Sequence, residues 1–118
     1  MALRVVLVDD DQRFRAMARR SLEAEGVEVL GEVERGIDVA DAVEFWQPDV
    51  VLVDIRMPDV DGPEVARRLG RGAGASVVIL ISTLDVLSGR RLAEGVAAGY
   101  LPKDELTLDA ISGLMPAP

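Results

Sequence analysis

The run Val50-Val51-Leu52-Val53, followed at once by Asp54, constrains this chain more than any other stretch. Consecutive apolar residues, most of them β-branched, describe a strand buried on both faces, as at the centre of a parallel sheet. Such a strand must end where the chain leaves the core. Here it ends in a carboxylate, then Ile55-Arg56-Met57-Pro58 and the turn Asp59-Val60-Asp61-Gly62. Open α/β sheets bind ligands outside the carboxyl ends of their strands. Asp54 is therefore a site candidate, beside the plainer reading of a strand-end or helix-capping acid.

A second buried-type run, Arg4-Val5-Val6-Leu7-Val8, also ends in acid, Asp9-Asp10-Asp11. Phe14, Met17, Ala18 and Leu22 then fall on one helical stripe, with Arg13, Arg15, Arg19 and Arg20 mostly off it, and Gly26 stops the helix. Val27 to Val33 alternates apolar and polar residues, which predicts a less buried, edge strand. Ile37, Ala40 and Val43 mark a second helix ending before Pro48, and Gly62-Pro63 opens a third that presents Val65, Ala66 and Leu69. Gly70 to Gly74 reads as a flexible connector, and Ser76 to Ile81 as a fourth strand with Ser82-Thr83 at its end. The segment Asp85 to Ala98 predicts a weaker helix, because Gly89 and Gly95 each cost it about 1 kcal/mol relative to Ala. Gly99-Tyr100-Leu101-Pro102-Lys103 is a short fifth strand ending in a lysine. Leu108, Ile111 and Met115 mark a last helix, stopped by Pro116.

This alternation predicts an α/β fold, a (βα)5 doubly wound sheet of five parallel strands with helices on both faces. Right-handed crossovers leave few topologies, and the flavodoxin-like order 2-1-3-4-5 puts the crevice between the first and third strands. Asp9, Asp10 and Asp54 converge there. The 118 residues make one domain, taken as 1–115, with 116–118 a linker. The longest apolar run, Val77 to Ile81, is too short to span a membrane. The chain opens on a strand with no signal-like region, so a cytoplasmic protein is expected. With neither cysteine nor histidine, thiolate chemistry, disulfides and imidazole catalysis are excluded. The net charge of −8 argues against direct nucleic-acid contact by this domain.

Converging carboxylates repel and raise one another's pKa unless a counter-charge is present. A hard divalent cation with oxygen ligands resolves the crowding, and Mg²⁺ suits a site with few protein ligands. Lys103, Ser82 and Thr83 stand on the same rim. A carboxylate nucleophile, a metal, a fixed cation and a hydroxyl are what phosphoryl transfer onto an aspartate needs. Each residue also has a plainer reading. Asp9 and Asp10 suit an N-cap of the first helix, Ser82 and Thr83 a cap of the fourth, and Lys103 the solvated surface. Asp59 and Asp61 read as turn and capping residues, and Arg67, Arg68 and Arg71 as a solvated helix face.

With Val8-Asp9-Asp10, Pro48 to Pro58 around Asp54, Asp61-Gly62, Ser82-Thr83 and Gly99 to Lys103 in place, the sequence resembles the receiver domain of bacterial two-component response regulators, from Val5 to about Met115. The resemblance implies that Asp54 accepts a phosphoryl group from a phosphohistidine on a sensor histidine kinase, the domain being a signalling phosphoacceptor rather than an enzyme. It implies Mg²⁺ ligation by Asp10, Asp54 and the Arg56 backbone carbonyl, with Asp9 acting through water. It gives Ser82, or Thr83 beside it, as the hydroxyl that meets the phosphoryl group, Lys103 as its ion-pair partner, and Tyr100 as an aromatic switch that turns inward on activation. Gly31 to Pro48 looks most like receivers that precede helix-turn-helix output domains, which implies transcription control through the surface of the fourth helix, fifth strand and last helix, and phosphorylation-dependent homodimers. Where many receivers carry proline after the lysine, this chain has Asp104, with Pro102 before it, which implies a differently built loop. A flavodoxin-like redox module is disfavoured, because Asp9-Asp10-Asp11 would repel a flavin phosphate. An Mg²⁺-dependent hydrolase lacks a second general acid, and an unphosphorylated pseudo-receiver acting as an interaction module is the alternative.

Overall fold

The computed structural model describes residues 2–70 and 76–116. The apolar runs form β1 (Arg4–Val8), β2 (Glu28–Val33), β3 (Val50–Asp54), β4 (Val77–Ser82) and β5 (Gly99–Pro102). The helices are α1 (Gln12–Ala24), α2 (Val39–Trp46), α3 (Gly62–Gly70), α4 (Val86–Ala93) and α5 (Leu108–Leu114). All strand pairs are parallel, in the order β2-β1-β3-β4-β5 expected from the alternation.

Strand side chains alternate between the sheet's two faces, and two cores follow. Val5, Leu7, Val50, Leu52, Ile79 and Ile81 pack with Phe14, Ala18 and Leu22 of α1 and Ile111 of α5. Val6, Val8, Val51, Val53, Val78 and Leu80 pack with Val39 and Val43 of α2, Val65, Ala66 and Leu69 of α3, and Ala93 of α4. Every residue of β3 is buried, as its unbroken apolar run demands.

Several local readings need correction. Met17 lies outside the α1 stripe, 61% exposed. Chain folding puts α2 later than its pattern indicates: a 3-10 turn occupies Gly36–Asp38, the helix starts at Val39, and Ile37 and Ala40 face solvent. The cause is Asp59, whose carboxylate accepts hydrogen bonds from the Gly36 and Ile37 N–H groups, both at 2.9 Å, and holds that turn. Helix α4 stops at Ala93 rather than Ala98, and Gly95, with φ of 77°, lies outside it. The chain there turns back so that Ala98 N–H can donate to Val78 O at 2.8 Å and enter β5. Lys103 stands one step beyond β5, in a 3-10 turn over Lys103–Glu105, so the loop after the lysine is compact. Apart from Gly70, which ends α3, the connector read at 70–74 lies outside the described residues, as do Arg71 and residues 117–118.

Candidate functional site

Register brings the acids together. β1 and β3 pair Val8 with Val53, so one further step sets Asp9 beside Asp54 on the face covered by α1 and α5. Asp9, Asp10 and Asp54 each offer a carboxylate oxygen within 4.8 Å of the others. Asp9 and Asp54 are buried, whereas Asp10 is exposed. Capping does not occupy these acids. The N-cap of α1 is Asp11, whose Oδ1 accepts from Arg13 N–H at 3.0 Å and Phe14 N–H at 3.2 Å. Likewise Asp85 caps α4 through Ser88 N–H at 2.9 Å, which leaves Ser82 and Thr83 free of that task. Asp61 accepts from Glu64 N–H at 2.9 Å and starts α3, as its capping reading anticipates. Arg67 and Arg68 pair with Glu64 on an exposed helix face, also as read.

Asp9 is held by hydrogen bonds at its N–H, its carbonyl and Oδ1, while Oδ2 has no hydrogen bond among the described residues and is engaged by an ion pair alone. Its N–H donates to Val33 O at 3.0 Å, and its Oδ1 accepts from Asp11 N–H at 2.9 Å. Its Oδ2 meets Lys103 Nζ at 2.6 Å, and its carbonyl accepts from Arg15 Nη1 at 2.5 Å. Lys103 lies 3.6 Å from Asp54 Oδ1, so its plainer reading as a solvated side chain is displaced. Burial pushes the Asp54 carboxyl up to about 6, and the Asp9 charge adds to this, while the Lys103 ammonium and the Arg56 backbone N–H oppose it. This is a cluster with more negative charge than its one ammonium balances, in the setting where a divalent cation fits.

Gly62 sets the far side of the crevice. A Cβ there would stand 2.5 Å from Asp54 O, so only glycine lets α3 begin against the end of β3, with Gly62 N–H donating to Ile55 O at 2.8 Å. Arg56 is exposed on the loop between them. Ser82 and Tyr100 belong to the opposite face of the sheet. Ser82 is 3% exposed and its Oγ accepts from Leu84 N–H at 3.4 Å. The Tyr100 ring is already inside, 4% exposed, its hydroxyl 2.9 Å from Ser82 O and 2.6 Å from Leu84 O. Thr83 is exposed and lines, with Phe14, Lys103 and Asp104, a cleft of about 800 Å³ at the rim.

Two contributors, Arg15 and Phe14, escape a reading of the site by sequence alone. Arg15 is a buried arginine on α1 that bridges Asp9 O and Glu32, at 3.0 Å from Oε1. Its signal was present, since positions 15, 18 and 22 share helical spacing with the buried stripe. Phe14 lies under the Lys103 ammonium, 4.5 Å from ring centroid to Nζ. Lys103 itself is the only lysine in the sequence, a hint that it is not a generic surface charge.

Comparison with known proteins places these features in one family. Residues 5–111 match the model of the response regulator receiver domain, and the chain belongs to that family. It is 39% identical over 106 residues to the response regulator MprA of Mycobacterium tuberculosis, covering 87% of this chain and 45% of the relative. A protein-glutamate methylesterase/protein-glutamine glutaminase of Rhodopseudomonas palustris is 36% identical over 113 residues, 92% of this chain and 29% of the relative. The chain thus spans less than half the length of these curated relatives. Among solved structures, the signal receiver domain of the response regulator NarL from Mycobacterium tuberculosis superposes with a TM-score of 0.84 at 33% identity, over 96% of each chain. The chain is therefore a response regulator receiver domain, a class of signalling phosphoacceptor. Among the described residues no helix is long and apolar enough to cross a membrane.

Proposed function

We propose that Asp54 is the phosphoacceptor, and that the domain, residues 1–115, works in the cytoplasm as a phosphorelay receiver rather than as an enzyme on outside substrates. The observation that carries this is the buried Asp54 carboxylate at the end of the central strand, with Asp9 beside it and the Lys103 ammonium 3.6 Å away. An Asp54 oxygen attacks phosphorus in the phosphohistidine of a sensor kinase. The P–N bond breaks, its electron pair stays on the imidazole nitrogen, and an acyl phosphate remains on Asp54. Lys103 turns from Asp9 toward the new phosphoryl oxygens, and Ser82, with Thr83 as the exposed neighbour, donates a hydroxyl to them. Asp10, Asp54 and the Arg56 carbonyl would hold Mg²⁺, with Asp9 adjacent. When bound, the ion supplies positive charge against the phosphoryl oxygens.

Tyr100 senses the change, because its hydroxyl binds the carbonyls of Ser82 and Leu84, on either side of Thr83. Output passes through the face of α4, β5 and α5, where Leu87 and Leu92 are exposed, to a phosphorylation-dependent homodimer or a further output domain. The test is intact-mass analysis after incubation with a small acyl phosphate and Mg²⁺. One phosphoryl group should add to the native sequence and none to Asp54→Asn. Addition that survives Asp54→Asn moves the acceptor elsewhere and refutes the reading.

A further inference from the structure

We infer that Phe14 is a positioning residue for Lys103, holding the ammonium by a cation–π contact between the acids it must serve. The inference rests on the phosphoacceptor reading for its consequence, not for its geometry.

An ammonium carries three N–H donors and no acceptor. At this site it has three anions to serve: Asp9 at 2.6 Å, Asp54 at 3.6 Å, and the phosphoryl group that Asp54 would carry. A fourth hydrogen bond to fix its position would remove a donor from that set. The Phe14 ring supplies the support without one. Its centroid lies 4.5 Å from Nζ, within the range where the ring's quadrupole attracts a cation. Phe14 is 8% exposed and the Lys103 side chain 17%, so the contact is mostly shielded from water, where such attraction is stronger.

The attraction is also broad across the ring face. The ammonium can therefore slide from Asp9 toward Asp54 while remaining on the same support. Local structure fixes the ring in turn. Asp11 caps α1 by accepting from Phe14 N–H at 3.2 Å, so the turn that delivers Asp9 and Asp10 also delivers the ring. Phe14 packs in the core on the α1 and α5 face and cannot swing freely.

Graded fluorination of Phe14 tests this, because it drains the ring's negative face while nearly preserving shape. Phosphorylation by a small acyl phosphate at saturating Mg²⁺ should slow stepwise along the fluorinated series, by about three- to tenfold at pentafluorophenylalanine. The melting temperature and Mg²⁺ affinity should change little. Phe14→Leu should slow phosphorylation to a similar extent. A second readout needs no phosphorylation. Lysine labelled at its ε-methylene gives one side-chain signal, from Lys103. The ring current of Phe14 should displace that signal upfield in the native sequence and not in Phe14→Leu. A phosphorylation rate indifferent to fluorination, or an undisplaced ε-methylene signal, overturns the inference. If the native sequence takes up no phosphoryl group sensitive to Asp54→Asn, the phosphoacceptor reading fails instead, and the ε-methylene signal still decides the contact.

Discussion

The ring of Tyr100 is seated directly against Gly89 of α4, where a Cβ would overlap Cδ2, Cε2 and Cγ of the ring. From this seat the phenol hydroxyl reaches the carbonyls of Ser82 and Leu84, so a glycine on one helix sets where an aromatic side chain on β5 reports on the end of β4. Gly89 therefore does more than weaken α4. It creates the space that the inward ring occupies, and burial of that ring pushes its hydroxyl's pKa above the ordinary tyrosine value.

Gly89→Ala sets two effects against each other. Alanine favours the helix by about 1 kcal/mol, while overpacking against a buried ring costs about 1–3 kcal/mol. The substitution should expel the ring, lower stability in urea unfolding and change the near-ultraviolet dichroism of the chain's single tyrosine. Gly89→Ala combined with Tyr100→Ala should recover the helix gain, giving strong non-additivity between the two sites. A stabilised single variant with an unchanged tyrosine signal would refute the steric account.

The fold and the acid cluster were legible because they depend on strand runs and their ends. Val50 to Val53, buried on both faces, could only be central, and parallel register then made Asp9 and Asp54 neighbours. What failed to show depends on contacts between segments distant in sequence. The late start of α2 follows from Asp59 reaching back to Gly36 and Ile37, and no local pattern in residues 34–43 encodes that. Gly89 looked like a helix defect because the ring it accommodates comes from another strand. Gly95 looked like a second defect because periodicity carried the helix past Ala93, where the chain in fact turns toward Val78.

Asp54 should make the metal-free protein pH-sensitive. Its folded-state carboxyl is raised from 3.8 to about 6, so the folded form holds a proton that the unfolded chain has already released between those values. Stability should therefore increase as pH falls from about 7 toward 4, and the ionised group costs up to about 3 kcal/mol above pH 6. Asp54→Asn should be more stable than the native sequence at pH 7.5 and should lack this part of the slope. Equal slopes in urea titrations of the two proteins would contradict the assignment.

Arg15 should resist conservative replacement. Its guanidinium joins Asp9 O to Glu32, a geometry that an ammonium cannot reproduce with one nitrogen. Arg15→Lys and Arg15→Met should each lose about 1–3 kcal/mol, because the buried carbonyl of Asp9 loses its donor. Glu32→Gln should cost less, since Arg19 at 2.9 Å also engages Glu32 and remains available to the amide oxygen. Chemical denaturation of the three variants ranks them, and an Arg15→Lys protein as stable as the native one would remove Arg15 from the support of Asp9.

Mg²⁺ should stabilise the fold through Asp10 more selectively than through Asp9. Both acids belong to the cluster, yet their other commitments differ. Asp9 is buried and engaged by Lys103 and Asp11 N–H, so Asp9→Ala removes structural partners as well as a metal oxygen. Asp10 is exposed, and its side chain makes no hydrogen bond or ion pair among the described residues. Linkage gives about 1.4 kcal/mol of stabilisation at a Mg²⁺ concentration ten times its Kd. The native sequence should show that increment, and chelation should remove it. Asp10→Ala should melt close to the metal-free native protein with or without Mg²⁺. Asp9→Ala should melt lower under both conditions, since Lys103 loses its 2.6 Å partner. Thermal melts of the three proteins with and without Mg²⁺ separate these effects, and an Asp10→Ala protein that still gains the full increment would move the ion away from this cluster.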